Sequence, residues 1–185
     1  MLRRRARPLS GAEITSGEIQ GLIQWMHETM QDAPGVGLAA PQIGVGLRVA
    51  VIEDKAEYTK DAAANMLMER ERSPVPFHVI INPVVTLHEG EQPEFFEGCL
   101  SLSGFTAVVP RARKVTVECL DERGEPKVIE ASGWYARILQ HEIDHLDGTL
   151  YLDRMHTRTF MSVDNFNRYW KDKPVAEVTK LLRES

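Results

Sequence analysis

The segment His141-Glu142-Ile143-Asp144-His145 constrains this chain more than any other. It lies within residues 132–148, where Ile138, Leu139, Ile143 and Leu146 recur at helical spacing. Ser132 is placed to cap the start of that helix and Gly148 to stop its end. Two histidines four residues apart share one helix face, so both imidazoles can reach one cation. Glu142 is offset from that line, yet close enough to hydrogen-bond a water on the ion. A zinc-type ion lowers the pKa of such a water towards neutrality, and a carboxylate can carry its proton away. A charged, half-exposed helix face can match the pattern by accident. Among large apolar residues, however, two histidines and a glutamate point to a metal-dependent hydrolase.

Two ligands do not complete a hydrolytic site, which usually has three protein ligands and one open position. One metalloprotease class would need histidine at position 151, where Tyr151 stands. The downstream carboxylates Asp153, Asp164 and Glu177 sit in no matched helix, and His156 reads as a surface histidine. The upstream run Glu97-Gly98-Cys99-Leu100-Ser101 supplies the missing ligand. A thiolate binds borderline-soft divalent ions strongly, and coordination keeps it deprotonated. Gly98 permits close backbone approach, and Leu100 offers a backbone N–H directly after the ligand. A lone cysteine is more often a small buried hydrophobe. Cys119, which continues the apolar face of Val115 and Val117, reads that way.

Ahead of these motifs, residues 15–31 read as a helix. Thr15 and Glu18 form a capping-box pattern, Ile19, Leu22, Ile23, Met26 and Met30 line the apolar face, and Pro34-Gly35 ends it. The Gly-rich stretch 35–46 superficially matches a dinucleotide fingerprint, but that motif needs a strand before it and a helix after it. Here a helix precedes and the strand 47–52 follows. The stretch reads instead as a loop whose glycines admit a substrate backbone, with Gln42 presenting an amide N–H to a developing oxyanion. A loop amide bonded to local backbone is the plainer reading of Gln42.

Residues 53–76 read as a surface excursion with a short helix at 62–69. Residues 77–88 read as extended chain interrupted at Asn82-Pro83, and 114–120 with 127–130 as a hairpin turning at 121–124. Helices are expected over 160–171 and 174–182. Short strands with segregated helices predict an α+β fold in one domain, 1–185.

A hydrophobic fraction of 43% and a charged fraction of 26% are ordinary globular values, and 185 residues suffice for a sizeable core. The net charge of -5 speaks against broad nucleic-acid binding. No apolar stretch reaches the length of a membrane span. The basic start, residues 1–7, has an acidic continuation in Glu13 and Glu18, and reads as a solvated or substrate-facing arm rather than a presequence fragment. Two cysteines are too few for a disulfide framework and suit a reducing compartment.

Three separated blocks then coincide. Gly35-Val36-Gly37-Leu38-Ala39-Ala40-Pro41-Gln42, Glu97-Gly98-Cys99-Leu100-Ser101 and Gln140-His141-Glu142-Ile143-Asp144-His145-Leu146-Asp147-Gly148 resemble the three signature motifs of peptide deformylases, in the family's order. Leu100 after Cys99 resembles the type I form. Residues 131–139 and Arg158-Thr159-Phe160 resemble the organellar and related bacterial branch, whereas the 53–76 excursion is longer than in compact members.

The resemblance implies antiparallel β-sheets packed around a central metal-bearing helix. It also implies removal of the N-formyl group from N-formylmethionyl nascent peptides. Cys99, His141 and His145 would hold one divalent ion, with Fe2+ expected and Zn2+, Ni2+ or Co2+ accepted. Glu142 would act as acid and base, with Gln42 and Leu100 at the oxyanion. The Gly37 backbone would pair with the peptide, and Val36, Phe95, Arg137 and Ile138 would border the methionine pocket. A transient ribosome contact is a further family-level expectation, as is a bacterial cytoplasmic location, or an organellar one after presequence removal. A metallo-endopeptidase and a non-catalytic peptide-binding module are the rival readings.

Overall fold

A computed structural model describes residues 1–33, 35–60, 62 and 64–184. It comprises two compact units, one formed by residues 1–90 and 112–149 and the other by 91–111 and 150–185.

The first unit is built on a five-stranded antiparallel sheet. Its strands are β1 (Gly37–Ala39), β2 (Val49–Asp54), β3 (Val75–Leu87), β6 (Lys114–Leu120) and β7 (Pro126–Ser132), in the order β1-β2-β3-β6-β7. Strand side chains alternate between faces, and here both faces are covered. Leu38, Val49, Val51, Val79 and Ile81 pack against Ile19, Leu22, Ile23, Met26 and Met30 of helix α2 (Gly17–Asp32). Ala39, Ala50, Ile52, Ile80, Val115 and Val117 pack against Ala136, Leu139, Ile143 and Leu146 of helix α4 (Gly133–Leu146). Double coverage explains why β2 is apolar at successive positions instead of alternating.

The helix expected at 15–31 is α2, found unbroken at Gly17–Asp32. A single turn α1 (Gly11–Ile14) precedes α2, and its cap is the Ser10–Glu13 capping box. Helix α2 is capped by Ser16, whose hydroxyl accepts from the Ile19 N–H, and not by Thr15. Pro34, expected to end this helix, lies outside the described residues. The stretch expected as a loop at 35–46 contains β1, paired with β2 through Gly37↔Ile52 and Ala39↔Ala50, and a 3-10 turn at Ala40–Ile43. Small side chains hid the alternation that marks a strand.

The interruption at Asn82-Pro83 takes the form of a register shift within one long strand. Asn82 adopts positive φ, and its amide both accepts from the Leu9 N–H and donates to the Leu9 carbonyl. The expected hairpin of β6 and β7 forms, with Val117 opposite Ile129. The expected helix at 62–69 is α3 (Ala64–Glu69), with part of its predicted start outside the described residues.

Residues 1–9 are not a solvated arm throughout. Ala6 and Leu9 are buried, and the Ala6 N–H donates to the Leu146 carbonyl at the end of α4. Gly148, in a left-handed conformation, passes beneath this arm; a Cβ there would stand 3.0 Å from the Arg3 carbonyl.

The second unit contains a sheet that periodicity did not reveal, ordered β4 (Glu94–Glu97), β5 (Phe105–Pro110) and β8 (Met161–Ser162). The helix expected at 160–171 is the shorter α5 (Val163–Tyr169), after a 3-10 turn at Thr157–Thr159 and β8. Helix α6 (Val175–Glu184) follows. Phe96, Val108 and Val178 form one small core and Ala107, Val109 and Tyr151 another. No helix among the described residues is long and apolar enough to cross a membrane.

Candidate metal centre

Helix α4 carries an unusual load of buried polar groups: Arg137, Gln140, Glu142, Asp144 and His145 are all below one-tenth exposed. The helix tolerates them because its apolar stripe anchors it to the sheet. Gln140 adds a directional clamp. Its Oε1 accepts from the Ala112 N–H at 3.0 Å, while its Nε2 donates to the carbonyls of Ala112 (2.9 Å) and Ala136 (3.0 Å). Ser132 stands at the N-cap but makes no side-chain cap bond, contrary to expectation. Past the C-terminal end, Arg48 donates to the Asp147 carboxylate at 2.6 Å and to the Leu146 carbonyl. A cation suits the negative end of the helix dipole.

The rings of His141 and His145 stand 4.9 Å apart at 77°, as their spacing on one helix face requires. Cys99, His141 and His145 form a group in which one sulfur and two ring nitrogens lie within 4.8 Å of one another. These are the three ligands expected from sequence, and their atoms are close enough together to hold a metal ion.

Cys99 follows β4 and is half-buried. Two residues before it, the Glu97 carboxylate takes a bidentate fork from Arg111: Nε donates to Oε1 at 3.0 Å and Nη2 to Oε2 at 2.9 Å. Both side chains are almost wholly buried. The Thr106 hydroxyl donates to the Glu97 carbonyl at 2.8 Å. Arg111 is therefore a residue that the sequence reading missed. Its partner lies across a hairpin, and nothing local to either residue announces the pair.

Tyr151, at the position where one protease class has its third ligand, is a core residue packed near Ala107 and Val109. Burial, and then the nearby Cys99 and Glu97 charges, push its phenol up to about 12. His156, read from sequence as a surface histidine, is partly buried, with Nε2 2.6 Å from Glu94 Oε1.

Family membership follows from comparison. The model of the polypeptide deformylase family matches residues 1–160. The chain belongs to that family. It is 48% identical to the chloroplastic/mitochondrial peptide deformylase 1A of Arabidopsis thaliana over 96% of its own length, and 46% identical to peptide deformylase 3 of Streptomyces avermitilis over 92%. The alignment spans 64% of the Arabidopsis protein, less than two thirds, and 74% of the Streptomyces one. Among solved structures, a Met-Ala-Ser-bound class I type b peptide deformylase from Acinetobacter baumannii is 33% identical. That comparison covers 83% of this chain and 91% of the other, with a TM-score of 0.73. The α+β deformylase fold, with antiparallel sheets, is thus the fold of this chain.

The other expected site residues fall as follows. Gln42 lies in the 3-10 turn after β1, and its Oε1 accepts from the Ala39 N–H at 2.7 Å. Leu100 opens the 3-10 turn after Cys99 and is 39% exposed. Val36 packs on the core that contains Ile138, and Phe95 is buried on β4. Gly37, on β1, lies directly against the Glu142 carboxylate: a Cβ there would sit 2.6 Å from Cδ.

Proposed function

We propose that this chain removes the N-formyl group from N-formylmethionyl peptides and releases formate, using one divalent ion held by Cys99, His141 and His145. The observation that carries the reading is the thiolate and two imidazoles within 4.8 Å, with Glu142 buried on the same helix as the histidines. A mixed sulfur and nitrogen donor set suits borderline divalent ions better than magnesium or calcium. Ferrous iron is the proposed native ion, with zinc, nickel or cobalt as substitutes. The Met-Ala-Ser tripeptide bound to the Acinetobacter relative supports a substrate with methionine at its N-terminus.

Bound there, the ion would supply Lewis-acid polarisation of the formyl carbonyl and a lowered pKa for the attacking water. Glu142 accepts the proton of that water as the C–O bond forms, then delivers a proton to the amine nitrogen as the C–N bond breaks. The Gln42 amide and the Leu100 backbone N–H donate to the developing oxyanion. Support for Gln42 comes from its bond to Ala39, which engages the carbonyl end of the amide, so that the NH2 end points away from that N–H. The Gly37 backbone pairs with extended peptide, and Val36, Ile138, Phe95 and the stem of Arg137 border the methionine side chain. The site of action is the bacterial cytoplasm or an organelle, with transient contact to the ribosome.

Anaerobic metal analysis paired with a formate-release assay tests the reading. A formyl-Met peptide should yield formate, and its unformylated twin should stay intact. Cleavage of the twin at internal bonds would mean an endopeptidase instead, and binding without formate a non-catalytic module. Cys99→Ser should lower the bound metal; unchanged metal content and activity would take the thiolate out of the site.

A further inference from the structure

The close approach of Gly37 to Glu142 has no explanation in the backbone. Gly37 is paired with Ile52 in an ordinary strand, and its φ is not in the left-handed region. A residue with a side chain could adopt that conformation without strain. What a side chain would meet is the carboxylic acid group itself. A Cβ at position 37 would stand 2.6 Å from Cδ and 2.7 Å from Cγ of Glu142, with Oε1 closer still.

Neither supporting element can recede. Next to Gly37 in β1, Leu38 and Ala39 are buried on opposite faces of the sheet, in the α2 and α4 cores respectively. Around Glu142, Leu139, Ile143 and Leu146 fix α4 in the second of those cores. Ordinary contact between carbon atoms is about 3.5–4.0 Å, so a methyl group at 37 would drive the carboxylate away by about 1 Å.

We infer that Gly37 is a positioning residue for Glu142: its missing side chain is the space in which the carboxylate is held against β1. The role of the displaced group rests on the deformylase reading above; the steric claim does not. A displacement of about 1 Å from reacting atoms costs on the order of 10²-fold in rate. The three atoms nearest that Cβ all belong to Glu142 and none to a metal-binding side chain, so metal content is a separate readout.

The test is Gly37→Ala, alone and combined with Glu142→Asp, whose shorter side chain makes room for the methyl. In the wild-type background the substitution should lower kcat about 10²-fold with KM nearly unchanged and full metal content. In the Glu142→Asp background it should cost less than about threefold. An equal loss in both backgrounds would overturn the inference, because Gly37 would then act through the peptide it pairs with. So would a near-wild-type kcat. A crystal structure of Gly37→Ala should show the carboxylate displaced while both histidine rings stay in place, and an unmoved carboxylate refutes the proposal whatever the assay reads. If the variant folds poorly, Gly37→Ala/Glu142→Ala should regain the lost Tm, and failure to regain it rejects the clash. Absence of formate release by the wild type would count against the proposed reaction and leave these two structural arms to decide the inference.

Discussion

The two segments that carry the donor atoms are held by opposite means. Helix α4 rests on the sheet through Ala136, Leu139, Ile143 and Leu146, all essentially unexposed. The turn bearing Cys99 lies beside a small core, and its most specific fixture is the buried fork between Glu97 and Arg111. Apolar support is non-directional and shared among many contacts, so the loss of one leaves the rest. A buried ion pair is directional, and removal of one partner leaves a charge stranded. The helix can therefore display polar residues for chemistry at little risk to the fold, whereas the cysteine turn has polar residues committed to holding it in place.

Glu142→Ala tests the helix half of that comparison and should have the largest effect. Formate release should fall by about 10²–10⁴-fold, the usual contribution of a positioned acid–base group. Metal content should be retained, and stability should not fall, because the substitution removes a buried carboxylate from beside β1. A large loss of stability would show that α4 depends on its polar residues after all. Full activity in a metal-replete variant would remove Glu142 from the reaction.

Arg111→Ala tests the other half. Stranding Glu97 should cost about 3–5 kcal/mol of stability, read from urea denaturation of the metal-free protein. Metal affinity should drop about 10–100-fold, the range for loss of a group that orients a ligand. Replacing both partners at once, Glu97→Leu with Arg111→Met, should recover most of the stability, since apolar residues of similar volume often substitute for a buried pair. A loss under about 1 kcal/mol in the single variant would mean that apolar packing holds this turn too.

The same contrast explains what could be read from the sequence. Helix α4 was legible almost to the residue, expected within 132–148 and found at Gly133–Leu146, because its apolar stripe and its metal-binding pattern share one period. The β6–β7 hairpin was legible from alternation and its turn. Cys99 was legible only as the ligand that two histidines lacked. Its support was not, because Glu97 and Arg111 are separated by 14 residues and meet across strands too short to show a period. Strand β1 reads as a loop in the sequence because glycine and alanine give no hydropathy signal. Gly37 nevertheless needs to be small on account of a residue more than a hundred positions away.

Gln140 gives the finest discrimination, because it is a polar residue on α4 that does serve the fold. Its amide makes three bonds to main-chain atoms of Ala112 and Ala136, and it is 6% exposed. Gln140→Leu keeps the volume and apolar contact but leaves the buried Ala112 N–H and carbonyl without that amide. The expected loss is about 1–3 kcal/mol, the cost of unsatisfied buried backbone groups. Because the apolar stripe still seats the helix, His141 and His145 should keep their positions, and metal affinity should change less than in Arg111→Ala. Denaturation and metal titration on the same two variants make the comparison direct. If Gln140→Leu weakens metal binding as much as Arg111→Ala does, the helix is held in register by its polar clamp and the contrast between the two supports collapses.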